Sequence, residues 1–589
     1  MKSGFLNRIL EYVRGARAGA VRPGNEFLRT LRAAIDAGDL KRALDIESSL
    51  TGAQALSAEA LVLRARLALA SGDAKRATAH LEEAIGKAPL SGEAHFWCAS
   101  AYMQRGMESE ALEHALAVER IKPGHPDMRT LIGVVRHHQN DVAGAKAAFE
   151  SALEVDSSNM DAHRSLAVIY FQEHEWPDAE RHFRRLAEAQ PESSFALSGH
   201  ASCLVALGRE AEAWPLFSRA LDLPVKSREV HADYAVALFD DGQLEKARSQ
   251  IDAALHLDPN QALLHVGRAN CELIANGSSA AGWAEYEWRL KLDANRYGRR
   301  TRMWTGEAGR TGRLLVYAEQ GMGDVILFSR YLDQLGKRVG GITLQIPPVL
   351  GRLMRASAAR FGWNIAEWKE SASRVEPGET PYDHEVPLLS LMHACGFPVE
   401  RNTHPYLDVD AELTRHWARK LGPRSPDRLR IGLVWAGNPR RREDVIRSIL
   451  PEQLAPLQTL KNADFVSLQM DCRPVYKKTP LPVAAVDPTS EIRDFADTAA
   501  IMHNLDLVLS IDTAAAHLAG ALGIPCWVLL SRVPDWRWRM GGIEQPWYGA
   551  LRSFTVERQR DWVPLMEQVA EQLRHESHDT LGKYRYAGG

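Results

Sequence analysis

Three stretches of this sequence carry the residue types that hold anions or accept protons at chain turns. In the first, Glu319-Gln-Gly-Met-Gly-Asp324 follows the apolar run Leu314–Tyr317 and precedes Val325–Leu335. Gly321 and Gly323 permit a tight strand-to-helix turn whose backbone can approach a ligand, with Gln320 at its entrance. Asp324 falls at the helix N-terminus, where a carboxylate either caps the helix or takes a proton from a hydroxyl. In the second, Asp512–Thr513 ends the apolar run Leu507–Ile511, and a helix opens on small residues and carries His517. The exposed N–H groups of such a helix start bind anions, which makes Asp512 and Thr513 a natural phosphate seat. His517, one turn in, either donates to a phosphate oxygen or is a packed, satisfied imidazole. In the third, the turn Ala436-Gly-Asn438-Pro439 follows the run Leu429–Trp435 and leads to Arg440–Arg442, Arg447 and Ser448. Arginine forks suit phosphate. Arg447 is the candidate here, beside Asn438 and Ser448, while Arg440–Arg442 read as a solvated charged loop or a further clamp. Trp536, Trp538, Trp547 and Tyr548 either stack on a base or pack a core.

These turns need strands and helices to position them. From Arg313 onward, short apolar strands alternate with helical segments, the sign of parallel α/β units. Ile342–Ile346 is a second strand after Leu314–Tyr317; Leu429–Trp435 restarts the pattern, and Phe465–Gln469 and Leu507–Ile511 continue it. The Pro- and Arg-rich Gly422–Arg428 separates two Rossmann-like lobes, expected at 311–425 and 426–575, with a tail at 576–589. The polar, basic stretch 293–310 reads as a linker.

The first half repeats. Alanine recurs at Ala43, Ala77, Ala111, Ala145, Ala179, Ala213 and Ala247, a constant step of 34 residues. Five positions before the last six stand Gly72, Gly106, Asn140, His174, Gly208 and Gly242, which suit the turn between two helices. Small residues at Ala65, Ala99, Gly133, Ala167, Ala201 and Ala235 let the helices approach, and mostly bulky ones such as Phe149, Phe183, Phe217 and Ile251 fill the gap to the next hairpin. The pattern predicts an α-solenoid over 26–292 after an N-terminal leader, 1–25, and such an array presents a concave surface to a peptide or protein.

Bulk properties exclude several classes. The 589 residues exceed one core, so two or three globular units are expected. A net charge of −3 from 72 basic and 75 acidic residues gives no bulk case for nucleic acid. Six scattered cysteines without a CxxC pair favour reduced thiols in a cytoplasmic protein, and no apolar run reaches the roughly 18–20 residues of a membrane span.

The repeats match the tetratricopeptide-repeat (TPR) consensus at its small, turn, alanine, aromatic and proline positions. The helix Gly282-Trp-Ala-Glu-Tyr-Glu-Trp-Arg289 is similar to one that ends the array in bacterial proteins joining TPRs to a glycosyltransferase domain, and it reads as a docking helix. Trp283 to about Val569 resembles TPR-linked glycosyltransferases whose catalytic domain is similar to the heptosyltransferase-like family. Three blocks carry the resemblance: Glu319–Asp324, Gly432–Pro439, and Asp512–Gly523 with Pro534-Asp-Trp-Arg-Trp538 and Pro546-Trp-Tyr548.

The resemblance implies GT-B architecture, with an acceptor-side lobe and a nucleotide-sugar lobe facing a cleft. It implies an inverting enzyme that moves sugar from a nucleotide-sugar to Ser or Thr of a protein recruited by the TPR array, flagellin being the candidate acceptor. Asp324 would be the catalytic base, with Gln320, Gly321 and Gly323 as the acceptor-side loop. Asn438, Arg447, Ser448, Asp512, Thr513 and His517 would bind the donor. No DxD-type pair holds a metal, so positive groups and helix dipoles are expected in its place and no cofactor is implied. Arg441 stands where relatives have His, Glu443–Val445 where they have Asn-Asp-Arg, and Glu544–Gln545 where they have Asp-Ser. The asparagine ladder of nucleocytoplasmic O-GlcNAc transferases is absent: its positions hold Leu63, Trp97, Leu131, Ser165, Gly199 and Asp233. Two further functions stay open, a non-catalytic TPR scaffold and a lipopolysaccharide or other glycan transferase.

Overall fold

The computed structural model describes residues 26–49, 56–123, 126–225, 227–277, 279–292, 302–307, 311–367, 382–399, 404–438, 444–470, 480–538, 540, 544–558 and 561–583. The expected leader 1–25, most of the expected linker and the Arg440–Arg442 stretch lie outside the described residues. The chain forms two compact units, Met1–Leu207 and Gly208–Gly589.

The first unit is a run of antiparallel helical hairpins from Glu26–Asp36 to Ser194–Ala206. The key alanines Ala43, Ala77, Ala111, Ala145 and Ala179 have no exposed surface. Where the turn residue is not glycine, Asn140 and His174 still adopt positive φ, 63° and 60°, matching Gly72 and Gly106. The repeat therefore imposes a left-handed turn that an ordinary side chain pays for in strain. Small and large positions interlock: a Cβ on Gly133 would lie 2.6 Å from the Phe149 ring, and one on Gly199 would lie 2.2 Å from Phe183.

The second unit begins with the same motif, in Glu210–Asp222, Arg228–Asp240, Leu244–Leu257 and Ala262–Ala275. Leu244–Leu257 and Ala262–Ala275 share a core with the α/β part. Leu244, Ala269, Leu273 and Ile274 join Trp283, Tyr286, Trp304, Val316, Phe328 and Trp536 in one apolar cluster. Trp283, on the short helix Ala280–Tyr286, meets Phe328 and Trp536 edge-on at 6.1 and 5.1 Å.

Two parallel sheets follow. The first contains β1 (Arg302–Met303), β2 (Thr311–Tyr317), β3 (Val339–Ile346), β4 (Asn364–Glu367) and β5 (His384–Pro387) in the order β1-β5-β2-β3-β4. The second contains β6 (Leu429–Val434), β7 (Ala463–Ser467), β8 (Ala485–Val486), β9 (Leu507–Ile511), β10 (Cys526–Leu530) and β11 (Leu551–Thr555) in the order β11-β10-β9-β6-β7-β8. β6 and β9 are buried at every residue, the near-continuous apolar pattern of strands covered on both faces.

Three boundaries differ from the reading of the sequence. Arg302–Met303, within the expected linker, pairs with β5, and Trp304 beside it is buried. The helix Ala411–Leu421, expected in the first lobe, is tied to the second by Trp417 Nε1 donating to Asp497 (3.0 Å) and Asn504 Nδ2 donating to the Thr414 carbonyl (3.0 Å). The expected tail opens with a helix, His578–Gly582, whose Leu581 enters the core of the second sheet. In each case one or two apolar side chains in a polar stretch found a buried place that local composition does not reveal.

Candidate functional site

Both sheets reverse strand order at one point. In the second sheet this lies between β6 and β9, giving the doubly wound order 3-2-1-4-5-6; in the first it lies between β2 and β5. At such points the loops leaving the carboxyl ends of the two strands diverge and open a crevice for ligands. The loops leaving β2, β6 and β9 are the three chemistry-bearing stretches of the sequence.

The helices after β2 and β9, Met322–Phe328 and Ala514–Ala521, pack against each other across the lobes. Gly323 is the contact: a Cβ there would come within 2.9 Å of His517 Cδ2 and 3.4 Å of Ala514 Cα. Gly323 of the first lobe thus meets Ala514 and His517 of the second, and Gln320, Gly321, Asp324, Asp512 and Thr513 are their chain neighbours on either side of that seam.

Asp324 is buried, with 5% of its surface exposed. Its Oδ2 accepts the Gly321 N–H (3.0 Å), a back-bond that satisfies an orphan donor of the helix start. Its Oδ1 accepts from Arg537 Nε (2.7 Å) and Nη2 (2.5 Å). Arg537 comes from the loop after β10 and also donates Nη1 to Asp535 (2.6 Å) and Nη2 to Gln320 Oε1 (3.0 Å). Burial opposes its charge, but Asp324 and Asp535 hold its pKa well above the ordinary value. Gln320 has φ +58°, a strained conformation for a residue with a side chain, and its amide also donates to Tyr286 OH (3.0 Å).

Arg537 joins the site across the lobes, a role its own sequence neighbourhood does not announce. Its only signal in the sequence is its place between two tryptophans in Pro534-Asp-Trp-Arg-Trp538.

On the other side, Arg447 donates Nη1 to the Asp512 carbonyl (2.9 Å) and Nε to Asp444 (3.1 Å). Asp444, 1% exposed, also accepts from Ser448 Oγ (2.9 Å), which in turn accepts the Gly437 N–H (3.1 Å). Asp444 therefore organises the β6 loop, and Arg447 ties that loop to β9. Asn438 lies exposed beyond it. Thr513 is the N-cap of the second helix, its hydroxyl 3.0 Å from Ser510 Oγ. Burial and the charge of Asp535 raise the pKa of Asp512 against the pull of Arg447.

His517 is 2% exposed, stacks on Trp538 at 4.8 Å, and has Nδ1 3.3 Å from Tyr548 OH. Burial, then Arg537, pushes its pKa down to about 3, so it is neutral near neutral pH. An Nδ1 accepting from Tyr548 leaves Nε2–H as a neutral donor. Trp536, Trp538, Trp547 and Tyr548 are all buried, and Trp547 Nε1 donates to the Arg537 carbonyl (2.7 Å). In this structure they build the walls that hold Arg537. Among the described residues, no three His, Cys, Asp or Glu side chains converge at metal-binding distance, and no helix is long and apolar enough to cross a membrane.

The architecture is a helical repeat array with a two-sheet parallel α/β part. Residues 68–134 match one tetratricopeptide-repeat family model, and 138–194 and 170–227 match another, so the chain carries tetratricopeptide repeats. Among curated relatives, Protein FlbA of Caulobacter vibrioides is 26% identical over 423 residues, 66% of this chain and 68% of that protein. Protein O-mannosyl-transferase TMTC3 of Homo sapiens is 36% identical over 89 residues, 15% of this chain and 10% of that protein. Among solved structures, a tetratricopeptide repeat protein from Parabacteroides merdae aligns over 41% of this chain and 96% of its own (17% identity, TM-score 0.33). The Cut9–Hcn1 assembly aligns over 45% of this chain and 51% of its own (14% identity, TM-score 0.37).

Proposed function

We propose that this chain is an inverting, metal-independent glycosyltransferase of GT-B type. It moves sugar from a nucleotide-sugar to a Ser or Thr hydroxyl of a protein held by the repeats, with flagellin as the acceptor that the family resemblance nominates. One observation carries the reading. The helix start after β9, at a topological switch point, packs against Gly323, the residue before Asp324, on the opposite lobe. A phosphate seat at that helix start beside a proton acceptor at Asp324 would supply the two functions that direct displacement at an anomeric carbon requires.

In the reaction, Asp324 takes the proton of the acceptor hydroxyl as its oxygen bonds to the anomeric carbon. The bond from that carbon to the donor phosphate breaks, and its electron pair stays on the phosphate oxygen. The Ala514 and Ala515 amides, which open the helix ahead of the Thr513-bonded Ala516 amide, suit that growing charge, with Arg447 on the preceding Asp512 carbonyl and His517 one turn in. The relative named as a protein O-mannosyl-transferase supports the reading only over the tenth of its length that is matched.

The test is intact-mass analysis of acceptor proteins from cells lacking the chromosomal copy, complemented with wild type or Asp324→Asn. Loss of general-base catalysis lowers transfer by about 10²–10⁴-fold. Full modification by the Asn variant, or no mass gain dependent on the wild-type gene, overturns the reading.

A further inference from the structure

As it stands, Asp324 is not ready to act. Both its oxygens accept hydrogen bonds, one from the Gly321 amide and the other twice from Arg537. A carboxylate so engaged offers little to a hydroxyl. Arg537 is itself placed to bind an anion. Its side chain is 12% exposed, lies 4.1 Å over Trp536, and is anchored by Asp535 on its own loop. Trp538, the next residue, stacks on His517 at 4.8 Å, and Gly323, beside Asp324, packs on Ala514 at the start of the Ala514–Ala521 helix.

We propose that Arg537 is a partner-exchanging latch: without donor it holds Asp324, and a diphosphate at the Ala514–Ala521 helix start draws its guanidinium away and frees the carboxylate. The inference rests on the phosphate-transfer reading above and deepens it by making donor arrival arm the base. A phosphate group presents more charge and more acceptor oxygens to the guanidinium fork than one carboxylate oxygen does, so it competes well. Asp535 keeps a hold on Nη1, so the side chain pivots rather than being lost. Gln320 provides the restoring element. Its positive φ persists under hydrogen bonds from Arg537 and to Tyr286, and strain of this kind is held only where neighbours over-determine it. Releasing Arg537 removes one of those restraints from the loop that carries the base.

Linkage makes this testable without turnover. If Asp324 and phosphate compete for Arg537, each weakens the other's hold by the same factor. Calorimetric titration of the full chain with inorganic pyrophosphate reads that factor directly. Asp324→Asn should bind pyrophosphate about tenfold tighter than wild type, the scale of one charged hydrogen bond, and Arg537→Gln about tenfold or more weaker. The double variant should match Arg537→Gln alone. If Asp324 merely repelled the anion through space, its removal would tighten binding equally in the Arg537→Gln background. That result, or an Asp324→Asn affinity equal to or weaker than wild type, overturns the latch while leaving the transfer reading standing. Arg537→Ala, which also removes the guanidinium, replaces Arg537→Gln if thermal melting finds the latter unfolded, with the same non-additivity required. A wild-type protein that binds neither pyrophosphate nor any nucleotide diphosphate sinks both proposals.

Discussion

Replacing Arg289 with methionine should unfold the second unit more readily than almost any other single change. Arg289, 7% exposed, donates Nε and Nη2 to the two oxygens of Glu319 (3.0 and 2.7 Å), Nη1 to Glu287 (2.6 Å) and the Tyr286 carbonyl (3.2 Å), and Nη2 also to Ser390 Oγ (2.8 Å). Glu319 is 4% exposed, and without Arg289 its charge keeps the Leu389 amide as donor (3.1 Å). Stranding one partner of a buried pair typically costs about 3–5 kcal/mol. At about 2 °C per kcal/mol, appropriate to a large domain, the transition should fall on the order of 6–10 °C. The assay is thermal unfolding of the full chain followed by tryptophan fluorescence, since Trp283 and Trp536 lie in the affected core. Arg289→Met with Glu319→Gln should recover most of the loss, because the amide still accepts from Leu389, while Glu287 is partly exposed and keeps Ser390 Oγ as a donor (2.8 Å). Nucleotide binding should fall with the single variant, because Glu319 adjoins Gln320 and the loop to Asp324. A single variant within about 1 kcal/mol of wild type would refute the view that this network fixes the docking helix to the β2 switch point.

Acid should destabilise both units. His182 in the first and His517 in the second are pushed down to about 4 and about 3, chiefly by burial, with His163 and Arg537 as the next causes. Below the ordinary value of 6.5 the unfolded chain takes these protons and the folded chain does not, so stability falls as pH falls. Each group contributes about 1.4 kcal/mol per pH unit until its folded pKa is reached. Melting curves from about pH 7 to pH 4.5 should show this, flattened by His182→Gln and His517→Gln in their own transitions; a flat profile in wild type would contradict the burial argument. Gly437→Ala places a Cβ 2.0 Å from Asp444 Oδ1 and 2.8 Å from Arg447 Nη2, so the β6 loop must shift. It should cost about 1–3 kcal/mol and weaken pyrophosphate binding, and a variant normal in both titration and melting would show that Asp444 does not organise the loop.

Much of this protein was legible as sequence because much of it is local. The 34-residue step names the hairpins, since helix, turn and small-residue contacts all form between neighbours in the chain. The left-handed turns at Asn140 and His174 follow from register, although neither residue is glycine. Apolar runs ending in Gly-Met-Gly-Asp324, Gly437–Asn438 and Asp512–Thr513 likewise mark strands that end in turns, and the strand order brings all three to the switch points. The pairing of side chains across the molecule is another matter. Asp324 and Arg537 are 213 positions apart, and nothing near either residue says that one will hold the other. The division between Leu207 and Gly208 has the same origin: the period runs through it unbroken, while the core that Trp283 shares with Phe328 and Trp536 decides which helices cohere with the α/β part. Periodicity records what each segment requires of its neighbours along the chain, whereas a buried charge or an indole takes its partner from whatever the packed lobes bring within reach.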